Sequence, residues 1–395
     1  MHTNQIKDDF PFFKDNDLVY LDSGATAQKP QIVFNAMEGY YKKYCANIHR
    51  AAHGLGNKAT KEYENARHKV AEFLNAKTKD EVVFVSGATE GINLVAYAYV
   101  KENFEHVIIS SLEHHSNIVP WQIIGKALHV IDSKKDLHVD LENYESLLKT
   151  YPNSFVSLTQ TSNTFGVTLP IKEMIKLAHS YGCKVLVDAA QSAVHKRVDV
   201  QELDADFLVI SGHKLYGPTG IGALYIKEEL HELCKPFKGG GGAIKEVSYE
   251  STSYMPIPYM YEAGTQNIAG AIGFASALEY MKTIGFDFIN KHEKELIEYT
   301  HEKLLRLKDV ITYSDTKNAT GNISFNIKGI HHQDLGILLD KQKVQLRVGH
   351  HCVQPTMNAL GIEGTLRISF GIYNTKEDVD TFFKALKRAI EMIRG

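Results

Sequence analysis

Four cysteines in 395 residues, Cys45, Cys183, Cys234 and Cys352, stand far apart from one another. That spacing excludes a zinc ribbon, and a disulfide framework is implausible in a chain of this size. No basic run interleaved with aromatics is present, and a net charge of -3 gives no general pull toward nucleic acid or an anionic membrane. No uninterrupted apolar stretch approaches the length of a bilayer span. The opening Met1-His-Thr-Asn-Gln-Ile-Lys-Asp-Asp-Phe10 lacks the apolar core of a signal peptide. Internal repeats and low-complexity tracts are missing too. Together these absences predict a cytoplasmic globular protein with no membrane or nucleic-acid partner.

What remains is ordinary in bulk and specific in detail. Hydrophobic content of 44% and charged content of 23% suit a soluble fold, and 395 residues suffice for two domains. From about residue 18 to 270, apolar strand patterns alternate with helical ones. The strand patterns are Glu81-Val-Val-Phe-Val-Ser, His106-Val-Ile-Ile-Ser, Ser154-Phe-Val-Ser-Leu-Thr, Lys184-Val-Leu-Val-Asp, Asp206-Phe-Leu-Val-Ile-Ser and Gly222-Ala-Leu-Tyr-Ile. Runs rich in Val, Ile and Leu separated by helices predict an α/β domain with a mainly parallel sheet covered on both faces. The later strand patterns Gly321-Asn-Ile-Ser-Phe-Asn-Ile, Val344-Gln-Leu-Arg-Val and Thr365-Leu-Arg-Ile-Ser-Phe predict a smaller α+β domain, closed by a helix over 378–393. The expected division is 15–270 and 271–395, with residues 1–14 joining the smaller part. Gly239 to Gly242 read as a flexible loop.

Lys214 ends the run Phe207-Leu-Val-Ile-Ser-Gly-His-Lys, at the carboxyl edge where open α/β sheets bind ligands. A desolvated lysine there is a nucleophile toward carbonyls. Asp188 ends the run Lys184-Val-Leu-Val-Asp in the same way. A Schiff-base lysine with an acid able to hold a pyridinium nitrogen is what a pyridoxal phosphate site requires. Ser86-Gly-Ala-Thr-Glu-Gly opens a helix after a strand, so Thr89 and the local amides suit a phosphate, with Ser211 and His213 closing the cup. A plain helix cap would read alike. His114 follows another strand and can lie on the cofactor ring or handle protons. Gln191 can bond the phenolic oxygen, and Asn163 that oxygen or a substrate carboxylate. Arg367, embedded among apolar residues, calls for an anion, either a substrate carboxylate or a structural partner.

Val344-Gln-Leu-Arg-Val-Gly-His-His-Cys-Val-Gln-Pro355 is the decisive segment. Positive neighbours such as Arg347 enrich a thiolate at Cys352, and a loop can carry it to a substrate. A metal held by His350, His351 and Cys352 is the rival, but adjacent residues rarely chelate one ion, and no metal is expected.

Four motifs, Ser-Gly-His-Lys214-Leu-Tyr-Gly-Pro-Thr-Gly, Glu-His114-His-Ser-Asn-Ile-Val-Pro-Trp, Tyr-Glu-Ala-Gly-Thr265-Gln-Asn and Arg347-Val-Gly-His-His-Cys352, resemble the group II (SufS-type) cysteine desulfurases of the class V aminotransferase family. The resemblance runs from Leu21-Asp-Ser-Gly-Ala-Thr-Ala-Gln-Lys-Pro30 to Ile372-Tyr-Asn-Thr375. It implies the aspartate aminotransferase-like fold type I of pyridoxal 5'-phosphate enzymes, and a homodimer. It also implies conversion of L-cysteine to L-alanine with sulfur held as a persulfide, and a SufE- or SufU-like acceptor in iron–sulfur cluster assembly. By the same resemblance Lys214 links to the cofactor and shuttles protons, Asp188 holds the ring nitrogen and His114 the ring face. Thr89, Ser211 and His213 bind phosphate, joined by Thr265 from the partner subunit. Arg367 and Asn163 take the substrate carboxylate, while His53 and Arg347 line the pocket near Cys352. Two positions depart from the pattern: Ala88 stands where many relatives have threonine, and Lys238 where some are acidic. A selenocysteine lyase shares these motifs and stays open. Intact Lys214, Asp188 and His114 speak against a carrier protein with a dead site.

Overall fold

Seven strands carry the larger sheet in the computed structural model, which describes residues 3–134, 136–314 and 319–395. They are β1 (Val82–Val85), β2 (His106–Ser110), β3 (Ala127–Ile131), β4 (Phe155–Thr159), β5 (Lys184–Asp188), β6 (Phe207–Ser211) and β7 (Gly222–Ile226). Their order is β1-β7-β6-β5-β4-β2-β3. The pairs from β6 through β3 are parallel, and β7 runs antiparallel to both its neighbours. Successive side chains serve opposite faces: Val82 and Phe84 enter one apolar cluster, Val83 and Val85 another. A strand buried on both faces has no polar side to show, hence the continuous Val, Ile and Leu runs. The edge strand β3 is half exposed and so lacks such a run, which is why its sequence did not announce a strand.

Helices α1 (Gln31–Lys43), α2 (Gly54–Leu74), α3 (Ala88–Val95) and α4 (Ile268–Ile284) belong to this part. Helix α4 packs on α1 and α2 and buries Ala271, Phe274, Leu278 and Met281 in the main cluster. A helix apolar on nearly every side belongs inside a core, so this packing draws the larger part past residue 270 to the end of α4. The smaller antiparallel sheet consists of β8 (Val310–Thr312), β9 (Asn322–Ile327), β10 (Arg347–Gly349) and β11 (Thr365–Ser369), in the order β8-β9-β11-β10. Helices α5 (Phe286–Leu305) and α6 (Lys376–Arg394) supply its core with Leu296, Leu304, Phe382 and Leu386.

The N-terminal segment reaches further into the smaller part than residue 14. Val19–Tyr20 pairs in parallel with Val344–Gln345, and Asp22 bridges Ser369. Lys7 adds an ion pair to Asp378 at 3.1 Å. After the glycine run, Ile244–Val247 and Thr252–Tyr254 form an antiparallel hairpin with Tyr249 fully exposed at its tip. Among the described residues no helix is long and apolar enough to cross a membrane.

Candidate active site

Parallel strands end on one edge, and the edge shared by β2, β4, β5 and β6 delivers His114, Asn163, Asp188 and Lys214 to one place. A cavity of about 200 Å³ lies there. Eleven of the residues singled out in the sequence line it: Thr89, His114, Asn163, Asp188, Gln191, Ser211, His213, Lys214, Arg347, Cys352 and Arg367. Two do not. His53 caps α2 through an N–H bond from Gly56 to its Nδ1, and Thr265 lies in a separate groove with His49, Arg50 and Gly241.

Close packing brings α3 to this edge. A Cβ on Gly91 would sit 2.7 Å from Val209 Cγ1, so glycine alone lets the helix lie against β6. The Ala88 N–H then donates to Ser211 Oγ at 2.9 Å, and Thr89 follows it into the cavity wall. The amide therefore does bonding work at the position where the resemblance expects a threonine. Lys238, the other departure, makes an ion pair with Glu90 on the same helix.

Among the described residues, nothing hydrogen-bonds or ion-pairs with the Lys214 amine. Burial pushes it down to about 8; Asp188 opposes that shift while Arg367 and Arg347 reinforce it. Asp188 moves upward through its own burial, against the pull of Lys214. One of its oxygens accepts the Ala190 N–H at 2.9 Å and the other takes no bond from the described residues. Burial, with Lys214 adding to it, pushes His114 down to about 3. Its Nδ1 accepts the Ser116 N–H at 3.1 Å, which leaves the proton of the neutral ring on Nε2. Beneath it Glu113, which sequence reasoning missed, holds the loop by accepting the Thr159 N–H with both oxygens at 2.9 Å. Burial, with Lys214 adding to it, holds His213 neutral too, at about 4.

The opposite wall comes from the smaller sheet. Arg347 and Arg367 are cross-strand partners on β10 and β11. The Arg367 guanidinium already has an anion: Nη2 donates to Asp22 Oδ1 at 2.9 Å and Nη1 to the Asn163 carbonyl at 2.8 Å. The structural partner weighed for Arg367 in the sequence is thus present, while its buried Nε has no partner among the described residues. Gln191 donates to the Gly24 carbonyl at 2.7 Å, and Asn163 to the His351 carbonyl at 2.8 Å.

Cys352 sits on the loop after β10 with an unusual backbone. His351 and Cys352 have φ of 50° and 59°, a left-handed conformation that costs a non-glycine residue about 1–2 kcal/mol. Three bonds hold it. His115 N–H donates to the Cys352 carbonyl at 2.8 Å, Asn163 pins His351, and the Cys352 N–H donates to His350 Nδ1 at 3.1 Å. Cys183 and Cys234 are buried, and burial raises both thiols, Cys234 to about 11; Cys45 is exposed away from the cavity.

This arrangement has close counterparts. The model of the aminotransferase class-V family matches residues 19–382. The chain is 41% identical to a probable cysteine desulfurase of Halalkalibacterium halodurans, over 99% of this chain and 98% of that one. It is 38% identical to a probable cysteine desulfurase of Vibrio cholerae serotype O1, over the whole of both. Among solved structures it superposes on an apo cysteine desulfurase from Thermococcus onnurineus with a TM-score of 0.93 and 38% identity, over 98% of each chain. The S-sulfonic acid form of the Escherichia coli cysteine desulfurase CsdA gives 0.90 and 37%, over 99% of each. The chain belongs to the class-V aminotransferase family, whose members work with pyridoxal phosphate. Within that family its relatives are cysteine desulfurases.

The residues present fit that cofactor. A buried carboxylate with an unbonded oxygen suits a ring N–H, an unpaired amine suits an aldehyde, and a helix N-terminus beside Ser211 suits a phosphate.

Proposed function

We propose that this protein is a group II cysteine desulfurase, which takes sulfur from L-cysteine onto Cys352 and releases L-alanine. The observation that carries the reading is a cysteine on a pinned loop lining the same cavity as Lys214, Asp188 and His114. Bound there, pyridoxal phosphate supplies a sink for electrons released at the substrate α-carbon. Asp188 holds the ring nitrogen, His114 the ring face, Gln191 the phenolic oxygen, and Thr89, Ser211 and His213 the phosphate. Arg367 and Asn163 orient the substrate α-carboxylate. Lys214, whose amine loses its proton near pH 8, takes the α-proton and returns it to carbon.

The Cys352 thiolate attacks the substrate sulfur. An S–S bond forms, the C–S bond breaks with its electron pair going to carbon, and a proton converts that carbon to the methyl group of alanine. Cysteine plus one enzyme thiol thus become alanine plus one persulfide, with no outside oxidant. The reading extends to a cytoplasmic homodimer that passes the sulfur to a SufE- or SufU-like acceptor for iron–sulfur cluster assembly. Supporting the dimer, Thr265 lines a groove apart from its own chain's cavity, as a residue serving a partner's phosphate must.

The test uses Cys352→Ala in the cofactor-loaded protein. It should keep its yellow cofactor and still change colour on adding L-cysteine, because Lys214 and the carboxylate site are intact. Alanine release should fall to background, and mass spectrometry of the wild type should place one extra sulfur on the peptide bearing Cys352. Undiminished alanine release by the variant sinks the proposal.

A further inference from the structure

His115 follows His114 in the loop after β2 but is not among the residues lining the cavity. Two of its polar groups bind the segment that carries Cys352. Its main-chain N–H donates to the Cys352 carbonyl at 2.8 Å, and its ring Nε2 accepts the Gln354 N–H at 3.1 Å. Gln354 opens the short helix Gln354–Ala359, where an N–H has no acceptor within its own helix. The ring supplies one from the larger part of the molecule. Thr356 repeats the pattern: its Oγ1 donates to the Ser111 carbonyl at 2.6 Å. The loop after β2 thus holds residues 352, 354 and 356 of the smaller part.

That segment depends on outside support. His351 and Cys352 are left-handed, a conformation that residues other than glycine keep only where their surroundings fix it. The main-chain bond to Cys352 survives any ordinary substitution of His115, whereas the bond to Gln354 belongs to the ring. Accepting at Nε2 puts the proton of the neutral ring on Nδ1. Burial, with His350 adding to it, lowers His115 and so leaves Nε2 bare at neutral pH.

We infer that His115 is a positioning residue for sulfur transfer: its ring docks the Cys352 segment on the loop that also carries His114, and so holds the thiol in the cavity. The inference rests on the reading of Cys352 as the sulfur acceptor. One loop then serves both reacting partners, with His114 on the cofactor side and His115 on the thiol side.

The experiment follows amide hydrogen exchange in the cofactor-loaded protein, beside alanine release from L-cysteine and L-alanine binding read from the cofactor absorbance. In His115→Ala, exchange of the peptide spanning 349–357 should rise about three- to tenfold, the size of one net hydrogen bond. The kcat for alanine release should fall by a similar factor, while L-alanine binding and exchange of the peptide bearing Lys214 stay as in wild type. His115→Asn, whose amide stops short of the Nε2 position, should behave like His115→Ala. His115→Gln, whose carboxamide oxygen reaches that position, should recover most of both losses. Unchanged exchange in the Ala and Asn variants overturns the inference. So does L-alanine binding that weakens in step with turnover, which a general loosening of the fold would give. A Gln variant docked no better than Ala, or loss of the fold in both Ala and Asn variants, overturns it as well. A wild type that releases no alanine from L-cysteine would instead remove the desulfurase reading, and the exchange result would then decide the docking by itself.

Discussion

Two cations of this protein, one fully enclosed and one half-buried in the cavity wall, have opposite fates. Arg67, on α2, is fully enclosed. Its guanidinium meets both oxygens of Glu262 at 2.5 and 2.7 Å and the Val82 carbonyl at 2.9 Å. Tyr63 and the Phe84 N–H complete the shell around Glu262. Burial works against the Arg67 charge, but Glu262 outweighs it and the group is held charged, shifted well upward. Lys214 suffers the same desolvation without a bonded partner, and its amine falls to about 8. A charge whose partners all come from the chain does structural work. A charge left without them is unstable in its own fold and available to a ligand.

That contrast can be broken from either side. The largest effect belongs to Lys214→Ala, which removes both the attachment point and the proton shuttle. Turnover of L-cysteine should fall beyond the roughly 10²–10⁴-fold that acid–base loss alone costs. The cofactor-free variant should nonetheless melt no lower than cofactor-free wild type, because no bonded partner is stranded. Near wild-type alanine release would remove Lys214 from the mechanism.

Glu262→Ala does the reverse. It leaves the enclosed Arg67 charge with only the looser Glu64 contact, at 3.3 Å, and should cost about 3–5 kcal/mol in denaturant unfolding. Replacing both partners, Arg67→Met with Glu262→Leu, should recover most of that loss, since apolar isosteres of a buried pair are often as stable as the pair. A Glu262→Ala protein as stable as wild type would mean that the pair contributes nothing.

The smallest effect is a pH dependence. Only the neutral amine attacks an aldehyde, and Lys214 is neutral above its lowered value. In protein stripped of cofactor, the rate of pyridoxal phosphate reattachment should rise about tenfold per pH unit and level off near pH 8. Continued rise toward 10.5, the ordinary lysine value, would contradict the burial argument.

The comparison also separates what was legible in the chain from what was not. Lys214 and His114 could be read because each follows an apolar strand by a few residues, and Asp188 because it ends one; parallel strands must end together. The Cys352 loop could be read from its own letters, though its left-handed backbone could not; that depends on bonds from His115 and Asn163, which lie in the loops after β2 and β4. The joining N-terminal strand was too short to leave a pattern, and α4 looked like the start of the smaller part because its apolar faces do not say which core they enter.

The order along the chain of the strands buried on both faces, the edge where chemistry gathers and the residue types needed for a pyridoxal phosphate site were determined by the sequence alone, because each is a local matter of periodicity and spacing. The partners of the buried charges were decided only in three dimensions. Arg367 meets an aspartate 345 residues away, and Arg67 a glutamate 195 residues away. An isolated arginine in an apolar run says that an anion is required, and only the packed chain says whether the protein or the substrate provides it.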